Sequence, residues 1–413
     1  MRIAVVGTGI SGMVAAWMLC DDHDLVIYEA NDYVGGHTHT VDVDLDGGSW
    51  AVDTGFIVFN EKTYSNFVKL LRRLGVAWQP STMSFSVRCD RTGLEYCPSS
   101  LNSFFAQRRN LLRPSFYRLV LDILRFRRES QRLLATEDWE TTLGDYLAAE
   151  GYSRRFIDEF IVPMGAAIWS ADPERFRQMP ARFFAQFFYN HAFLNVQQPQ
   201  WLTVRGGSRT YVAELTKPYQ DRIRLASPVH RVERFPDRVE VTAEGGEPEL
   251  FDAVVLATHT DQALDLLADP SDAEHAILGA IPYQPNDTVL HTDTALLPRL
   301  RRVWAAWNYI IPRQPQDRVA VTYDMNILQS LDAPETFCVS LNCPDAVDPA
   351  KTLRRLVYHH PVYTPAGIAA QKRRDEINGV NRTYFCGAYW SYGFHEDGVR
   401  SALAVAEHFG KAL

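Results

Sequence analysis

Arg2-Ile3-Ala4-Val5-Val6-Gly7-Thr8-Gly9-Ile10-Ser11-Gly12 opens the chain, and an apolar helical stretch follows it to about Leu19. The order is strand, glycine turn, helix. A bound phosphate needs a tight turn, a backbone with no side chain in its way and the positive end of a helix, and Gly7, Gly9 and Gly12 supply these at the right intervals, with Ile10 and Ser11 between them. The next predicted strand, Leu25 to Tyr28, ends in Glu29, 17 residues beyond Gly12. A carboxylate there accepts hydrogen bonds from the ribose hydroxyls of an adenine nucleotide and repels a 2'-phosphate.

Working outward, Tyr33-Val34-Gly35-Gly36-His37-Thr38-His39-Thr40 forms a second glycine turn, for which a simple nicotinamide-binding fold has no standard need. Alternating stretches near Val41 to Leu45 and Ser49 to Val52 lead into Asp53-Thr54-Gly55-Phe56. From Ser99 to about Asn190 the periodicity is helical, broken once at Pro114. Residues 99 to 135 hold eight arginines against Asp122 and Glu129, in a chain whose net charge is -8. A basic helix with Phe, Leu and Tyr on its other side is first of all a solvated face packed on its own domain, and it also suits a membrane surface. Residues 150 to 201 are dense in aromatics, Phe156, Phe160, Trp169, Phe176, Phe183, Phe184, Phe187, Phe188, Tyr189 and Phe193 among them. Such density makes core, and without nearby charge it also suits the wall of a cavity for a long hydrocarbon.

Beyond Trp201 the pattern turns to strands near 222 to 225, 229 to 235 and 238 to 242. Asp252 to Thr258 then reads as a fully buried strand of a parallel sheet. Antiparallel strands are expected over about 286 to 341, helices over 349 to 374, a last strand at Thr383 to Cys386, and a last helix from Gly398 to Phe409.

Composition sets the outer limits. A chain of 413 residues, 46% hydrophobic and 22% charged, is long for one core and predicts two domains. The acidic balance argues against a nucleic-acid partner. The six cysteines (20, 89, 97, 338, 343 and 386) show neither CxxC spacing nor a disulfide framework, which fits the cytoplasm. A first core strand at residue 2 leaves no room for a signal peptide, and no apolar run reaches membrane-spanning length.

In this order the motifs resemble the flavoproteins of the amine oxidase, protoporphyrinogen oxidase and phytoene desaturase superfamily. The resemblance implies an α/β fold: a discontinuous Rossmann-like FAD-binding domain (1–62, 205–270 and 375–413) plus an α+β substrate domain, an antiparallel sheet with helices (63–204 and 271–374, with a helical insertion at about 99–190). It implies FAD held non-covalently. Gly7, Gly9, Ile10, Ser11, Gly12, Glu29 and Ala30 would form its nucleotide fingerprint, and Gly35, Gly36 and His37 the second turn, against the pyrophosphate. Thr54, Gly55 and Phe56 would lie along the isoalloxazine ring, Val229 would hold adenine by its main chain, and Ala257 and Thr258 would end a buried strand beside the cofactor. Gly387, Asp397, Gly398 and Val399 would close the site.

Three departures bear on function. His37 stands where many relatives carry Arg, and Ala388 follows Gly387 where an acid is common. Between residues 205 and 350 the only lysine is Lys217, so the lysine that many amine-oxidising members hold near the flavin has no counterpart. Trp307-Asn308-Tyr309, Tyr323-Asp324-Met325-Asn326 and Tyr392 to Gly398 look like a bacterial branch associated with modification of fatty-acyl chains in membrane lipids. That resemblance implies hydride transfer to flavin from an apolar or lipid acyl substrate, as desaturation or double-bond isomerisation. Amine or amino-acid oxidation, and a non-catalytic FAD-containing lipid-binding partner, are the alternatives.

His291 and Tyr323 are candidates for a proton acceptor, and Tyr389, Trp390 and Tyr392 for the wall of the substrate site. His37 and His39 share a strand face without a third ligand, so no metal is expected. His359-His360, before Pro361, read as surface loop, and Asp397 as the cap of the last helix. The location expected is cytoplasmic, with the basic stretch 108–132 as a contact to the inner face of the membrane.

Overall fold

A computed structural model describes residues 1–45, 47–191, 199–314 and 318–413; Phe193 lies outside them. The opening strand, Arg2–Val6, is the centre of a five-stranded parallel sheet. Asp24–Tyr28 and then Ile223–Arg224 lie on one side of it, and Ala253–Leu256 and then Thr383–Phe385 on the other. Five segments from both ends and the middle of the chain thus make one sheet. Its strands are apolar on both faces because both are covered. Ile3, Val5, Leu25 and Ile27 pack on the helices Ile10–Leu19 and His395–Glu407, while Ala4, Val6, Val26 and Tyr28 pack on a three-stranded antiparallel sheet formed by residues 229 to 251.

A second, seven-stranded sheet runs in the order Thr352–Pro361, Tyr283–His291, Cys338–Leu341, Ala320–Asp324, Trp307–Ile311, Phe85–Cys89, Leu94–Tyr96. Every pair in it is antiparallel except Trp307–Ile311 with Phe85–Cys89. The structure corrects the helical reading of 349 to 374. Thr352–Pro361 is a ten-residue edge strand paired along its length with Tyr283–His291, and the helix is confined to Pro365–Gln371. Arg354 and Arg355 interrupt the alternation of that strand, as charges on edge strands commonly do.

Helices occupy the stretch from Leu101 to Asn190, the longest being Pro114–Leu134. Their aromatic side chains form a core that includes Phe126 against Phe184 (ring centroids 6.0 Å apart) and Trp169 against Phe187 (4.5 Å). Tyr189 departs from that expectation and stands exposed. Among the described residues no helix is long and apolar enough to cross a membrane.

The last helix begins at His395, three residues earlier than its glycine suggested. Asp397 therefore lies inside its first turn, where its carboxylate accepts from the backbone N–H of Phe394 (3.0 Å) and of Tyr392 (3.2 Å).

Candidate functional site: one cavity with a backbone end and an aromatic end

A cavity of about 840 Å³ runs from the C-terminal edge of the parallel sheet to the seven-stranded sheet. At its first end the walls are largely backbone. A Cβ on Gly12 would lie 2.0 Å from the carbonyl oxygen of Gly7, so helix and turn touch there. A Cβ on Gly36 would come within 3.2 Å of Gly9 Cα, which seats the second glycine turn on the first. A Cβ on Gly9 would meet nothing within 4 Å. The space over Gly9 is the N-terminal end of the helix Ile10–Leu19, which has no side-chain cap, so its free N–H groups face a void. The arrangement fits a phosphate.

Glu29 ends its strand beside this void. Its Oε2 accepts from the N–H of Thr8 (2.9 Å) and from the Thr8 hydroxyl, and its Oε1 from the N–H (2.9 Å) and amide (2.8 Å) of Asn31. A register shift in the strand Val229–Arg234 falls between Val229 and Arg231, at the cavity wall, and leaves main chain there outside the ladder. Every position expected to hold the cofactor borders this cavity except Gly12, Asp397, Gly398 and Val399. Those four lie behind the wall: a Cβ on Gly398 would be 2.6 Å from Ile10 Cγ2, so this glycine lets the last helix approach the first.

His37 is joined at the wall by histidines whose role the sequence did not announce. Its ring lies 5.4 Å from that of His360 and 6.1 Å from that of His259, and His259 lies 5.9 Å from His359. His359 and His360 are thus at the end of a strand that borders the cavity and not in a loop, with His360 half-buried while His359 keeps its expected place at the surface. Two adjacent histidines before a proline were the only local signal. Burial pulls His37 down to about 4 and His259 and His360 to about 3, and His37 Nε2 has no hydrogen-bond partner. His395 stacks on Phe56 at 3.5 Å, while its Nε2 bonds Thr38 Oγ1 and Tyr211 Oη, both at 3.0 Å. Among the described residues no group of three or more His, Cys, Asp or Glu side chains is arranged to hold a metal ion.

The other end of the cavity is aromatic. Trp169, Phe187, Trp307, Tyr323, Tyr392 and Phe394 border it, and among the described residues no lysine, arginine or carboxylate does so there. Trp169 Nε1 donates to the carbonyl of Tyr392 (3.1 Å), and the Tyr392 ring lies 4.7 Å from Phe183. Trp307 meets Tyr323 edge to face at 5.3 Å. The Trp307 indole N–H and the Tyr363 hydroxyl are buried at this cavity without partners. Native proteins rarely leave such groups unpaired, so they mark places where a ligand or water completes the bonding.

Of the candidates for the reacting end, Tyr323, Tyr389 and Tyr392 border the cavity, and His291 and Trp390 do not. His291 shares its face of the sheet with Ser340 and Thr322, opposite to Tyr323. Its Nε2 bonds Ser340 Oγ (2.8 Å) and its Nδ1 accepts from Asp293 N–H (3.0 Å). Trp390 turns into the core beneath the parallel sheet and donates to the carbonyl of Phe385 (3.1 Å). Burial raises the Tyr323 hydroxyl above the ordinary tyrosine range, which makes it a hydrogen-bond donor at neutral pH and not a proton acceptor.

Comparison with known proteins agrees with this geometry. The model of the family described as flavin containing amine oxidoreductase matches residues 10–300. Among solved structures, a redesigned putrescine oxidase superposes with a TM-score of 0.72 at 14% identity, over 99% of this chain and 98% of that one. A fatty acid isomerase from P. acnes that produces CLA superposes at 0.69 with 16% identity, over 99% and 98%. At such identities the likeness is one of fold. The "Probable zeta-carotene desaturase" of Synechococcus elongatus is 36% identical over 76 residues, which are 18% of this chain and only 15% of that protein. The family match takes in well over half of the chain, from the helix behind the first glycine turn through Gly36 and on past Trp169 and Phe187, and on it the chain belongs to the flavin-containing amine oxidoreductases, with a flavin as the implied cofactor.

Proposed function

We propose that this oxidoreductase binds FAD non-covalently and takes hydride from an apolar substrate, a fatty-acyl chain, which leaves desaturated or with its double bond moved. The observation that carries the substrate class is the aromatic end of the cavity. An ammonium substrate needs a carboxylate or an aromatic cage open to water, whereas walls of Trp, Phe and Tyr with no charge among the described residues gain most from burying hydrocarbon. The absence of a lysine other than Lys217 between residues 205 and 350 points the same way.

The chain's own residues have distinct tasks in this reading. Gly9 and the N–H groups behind it receive the pyrophosphate, and Gly36 keeps the second turn clear of it. Glu29 accepts from the ribose hydroxyls once the Thr8 hydroxyl or the Asn31 amide swings aside, while main chain at Val229 borders the adenine. Ala257, Thr258 and Gly387 complete the strand-end wall, and Thr54, Gly55 and Phe56 lie toward the aromatic end. Bound flavin would supply a two-electron acceptor for the hydride. In desaturation the proton on the neighbouring carbon would pass to water, and in isomerisation the hydride would return to the far end of the allylic system with no net loss of hydrogen. Trp169, Tyr392 and Phe394 hold the acyl chain straight and dry against it. The unpartnered N–H of Trp307 and hydroxyl of Tyr363 are polar groups able to fix the chain's depth.

Purified protein loaded with FAD and given an unsaturated fatty acid without oxygen tests the reading, with loss of flavin colour and double-bond position in the recovered lipid as readouts. We expect a new or shifted double bond, and no bleaching by putrescine or benzylamine. Bleaching by an amine together with unchanged fatty acid would overturn it in favour of amine oxidation.

A further inference from the structure

We infer that the outer face of the helix Pro114–Leu134, together with the short helical segments before it, docks on an anionic lipid surface. Of the exposed large apolar side chains in the described structure, nearly half fall between residues 101 and 124: Leu101, Leu111, Leu112, Tyr117, Leu121 and Leu124. They are not marginally exposed; Leu112 is 88% open, Leu121 60% and Leu124 56%. Spacings of four and three residues place Tyr117, Leu121 and Leu124 on one stripe, and Arg128 continues it. The opposite stripe, Phe116, Leu119 and Phe126, is buried. The helix is therefore apolar on two faces, only one of which its own fold covers.

Charge selects the occupant. Eight arginines lie in this region, and Arg108, Arg109, Arg118, Arg128 and Arg132 are exposed around the leucines. The two acids of the same stretch, Asp122 and Glu129, are buried, Asp122 paired with Arg118 (3.1 Å) and Glu129 with Arg125 (2.7 Å) and Arg128 (3.2 Å), so no carboxylate of the stretch stands out among the leucines. Glu150 meets Arg125 at the margin. The outward surface is thus leucine ringed by guanidinium in a chain of net charge -8. In a two-fold dimer the same arginine-ringed patch of a second copy would face this one and repel it, whereas lipid phosphates meet the arginines while the leucines enter the acyl boundary. A 21-residue helix, about 31 Å long, lies in that plane.

The face is also near the cavity. Phe126 on the inner stripe packs on Phe184 of the helix Ala181–Asn190, and Phe187 of that same helix borders the aromatic end. One helix layer separates the proposed lipid surface from the proposed acyl site, but the docking face stands on residues that take no part in that site.

The test is co-flotation of the FAD-loaded, full-length protein with vesicles of phosphatidylcholine alone and of phosphatidylcholine with phosphatidylglycerol. We expect capture by the anionic vesicles, weakening as salt rises, and at least tenfold weaker capture for the triple variant Leu112→Glu, Leu121→Glu, Leu124→Glu. R108Q with R132Q, which pair with no buried acid, should reduce capture and its salt dependence while leaving the leucines in place. Flavin absorption and melting temperature should match the parent in each variant, because all five side chains are exposed. Failure of the parent to bind anionic vesicles, or unchanged capture of the triple variant, overturns the proposal. So does a parent dimer that the leucine substitutions convert to monomers without any vesicle binding. Turnover of detergent-dispersed fatty acid should be equal in parent and triple variant; its absence in both would refute the substrate reading and leave the docking result standing.

Discussion

Single atoms decide whether the glycine cradle can receive a phosphate. Gly9 has φ -60° and ψ 173°, a conformation open to any residue, and a Cβ there would enter empty space. Gly9→Ala should therefore leave the melting temperature of the cofactor-free protein nearly unchanged while weakening flavin binding at least tenfold, about 1.4 kcal/mol. Gly12→Ala should do the reverse. Its methyl would sit 2.0 Å from a carbonyl oxygen, and the protein should lose about 3 kcal/mol of stability or fail to fold. Melting curves beside flavin retention separate the two, and equal behaviour of both variants would contradict the cradle.

At the scale of elements, one buried carboxylate ties three segments together. Asp53, at the end of the strand Gly48–Asp53, accepts from Thr40 Oγ1 (2.6 Å), from the N–H and hydroxyl of Ser208 (2.9 and 2.7 Å) and from Gln329 Nε2 (3.1 Å). Those partners belong to a neighbouring strand, the start of the helix Arg209–Thr216 and the helix Met325–Gln329. The residues that follow Asp53 are the Thr54 to Phe56 wall of the cavity. Asp53→Asn turns two acceptor positions into donors facing donors, so we expect a loss of about 1–3 kcal/mol and weaker flavin retention. Chemical denaturation followed by fluorescence measures the first, and unaltered stability would show that the tie does not hold the wall.

For the molecule as a whole, buried histidines set the acid limit. Burial lowers His37, His191 and His291 to about 4, His259 and His360 to about 3, and His395 well below its ordinary value. Below about pH 6.5 the unfolded chain protonates these rings while the native one does not, so each removes stability as the pH falls through that window. Asp53 and Asp397, raised to about 6 by burial, act in the opposite sense, because the native state takes up their protons first. Glu159, Asp324 and Glu396, also raised by burial, act with those two acids, and His23 and His39, also lowered by burial, act with the other histidines. Eight histidines against five acids leave a net loss, and the melting temperature should fall from pH 7 to pH 5. Saturating FAD, seated as proposed with its phosphates toward His37, should lessen that slope, since negative charge there would favour the charged imidazole. A melting temperature flat over this range would refute the balance.

Much of the fold and of the cofactor end was legible because its signals are local. A run of Ile, Ala and Val into three spaced glycines dictates strand, turn and helix by backbone sterics alone, and Glu29 follows at the end of the next strand whatever the rest of the chain does. The helical periodicity from 99 to 190 is equally local, as is the excess of arginine within it. Tertiary structure alone decided the rest. Whether His291 or Tyr323 reaches the cavity depends on sheet register, since a side-chain period of two puts neighbours on opposite faces. Thr352–Pro361 became a strand because Tyr283–His291 had an unpaired edge, and pairing satisfies backbone groups that helix propensity cannot count. That same pairing carried His359 and His360 to the wall beside His37, a meeting of residues more than 300 positions apart that no spacing within the sequence records.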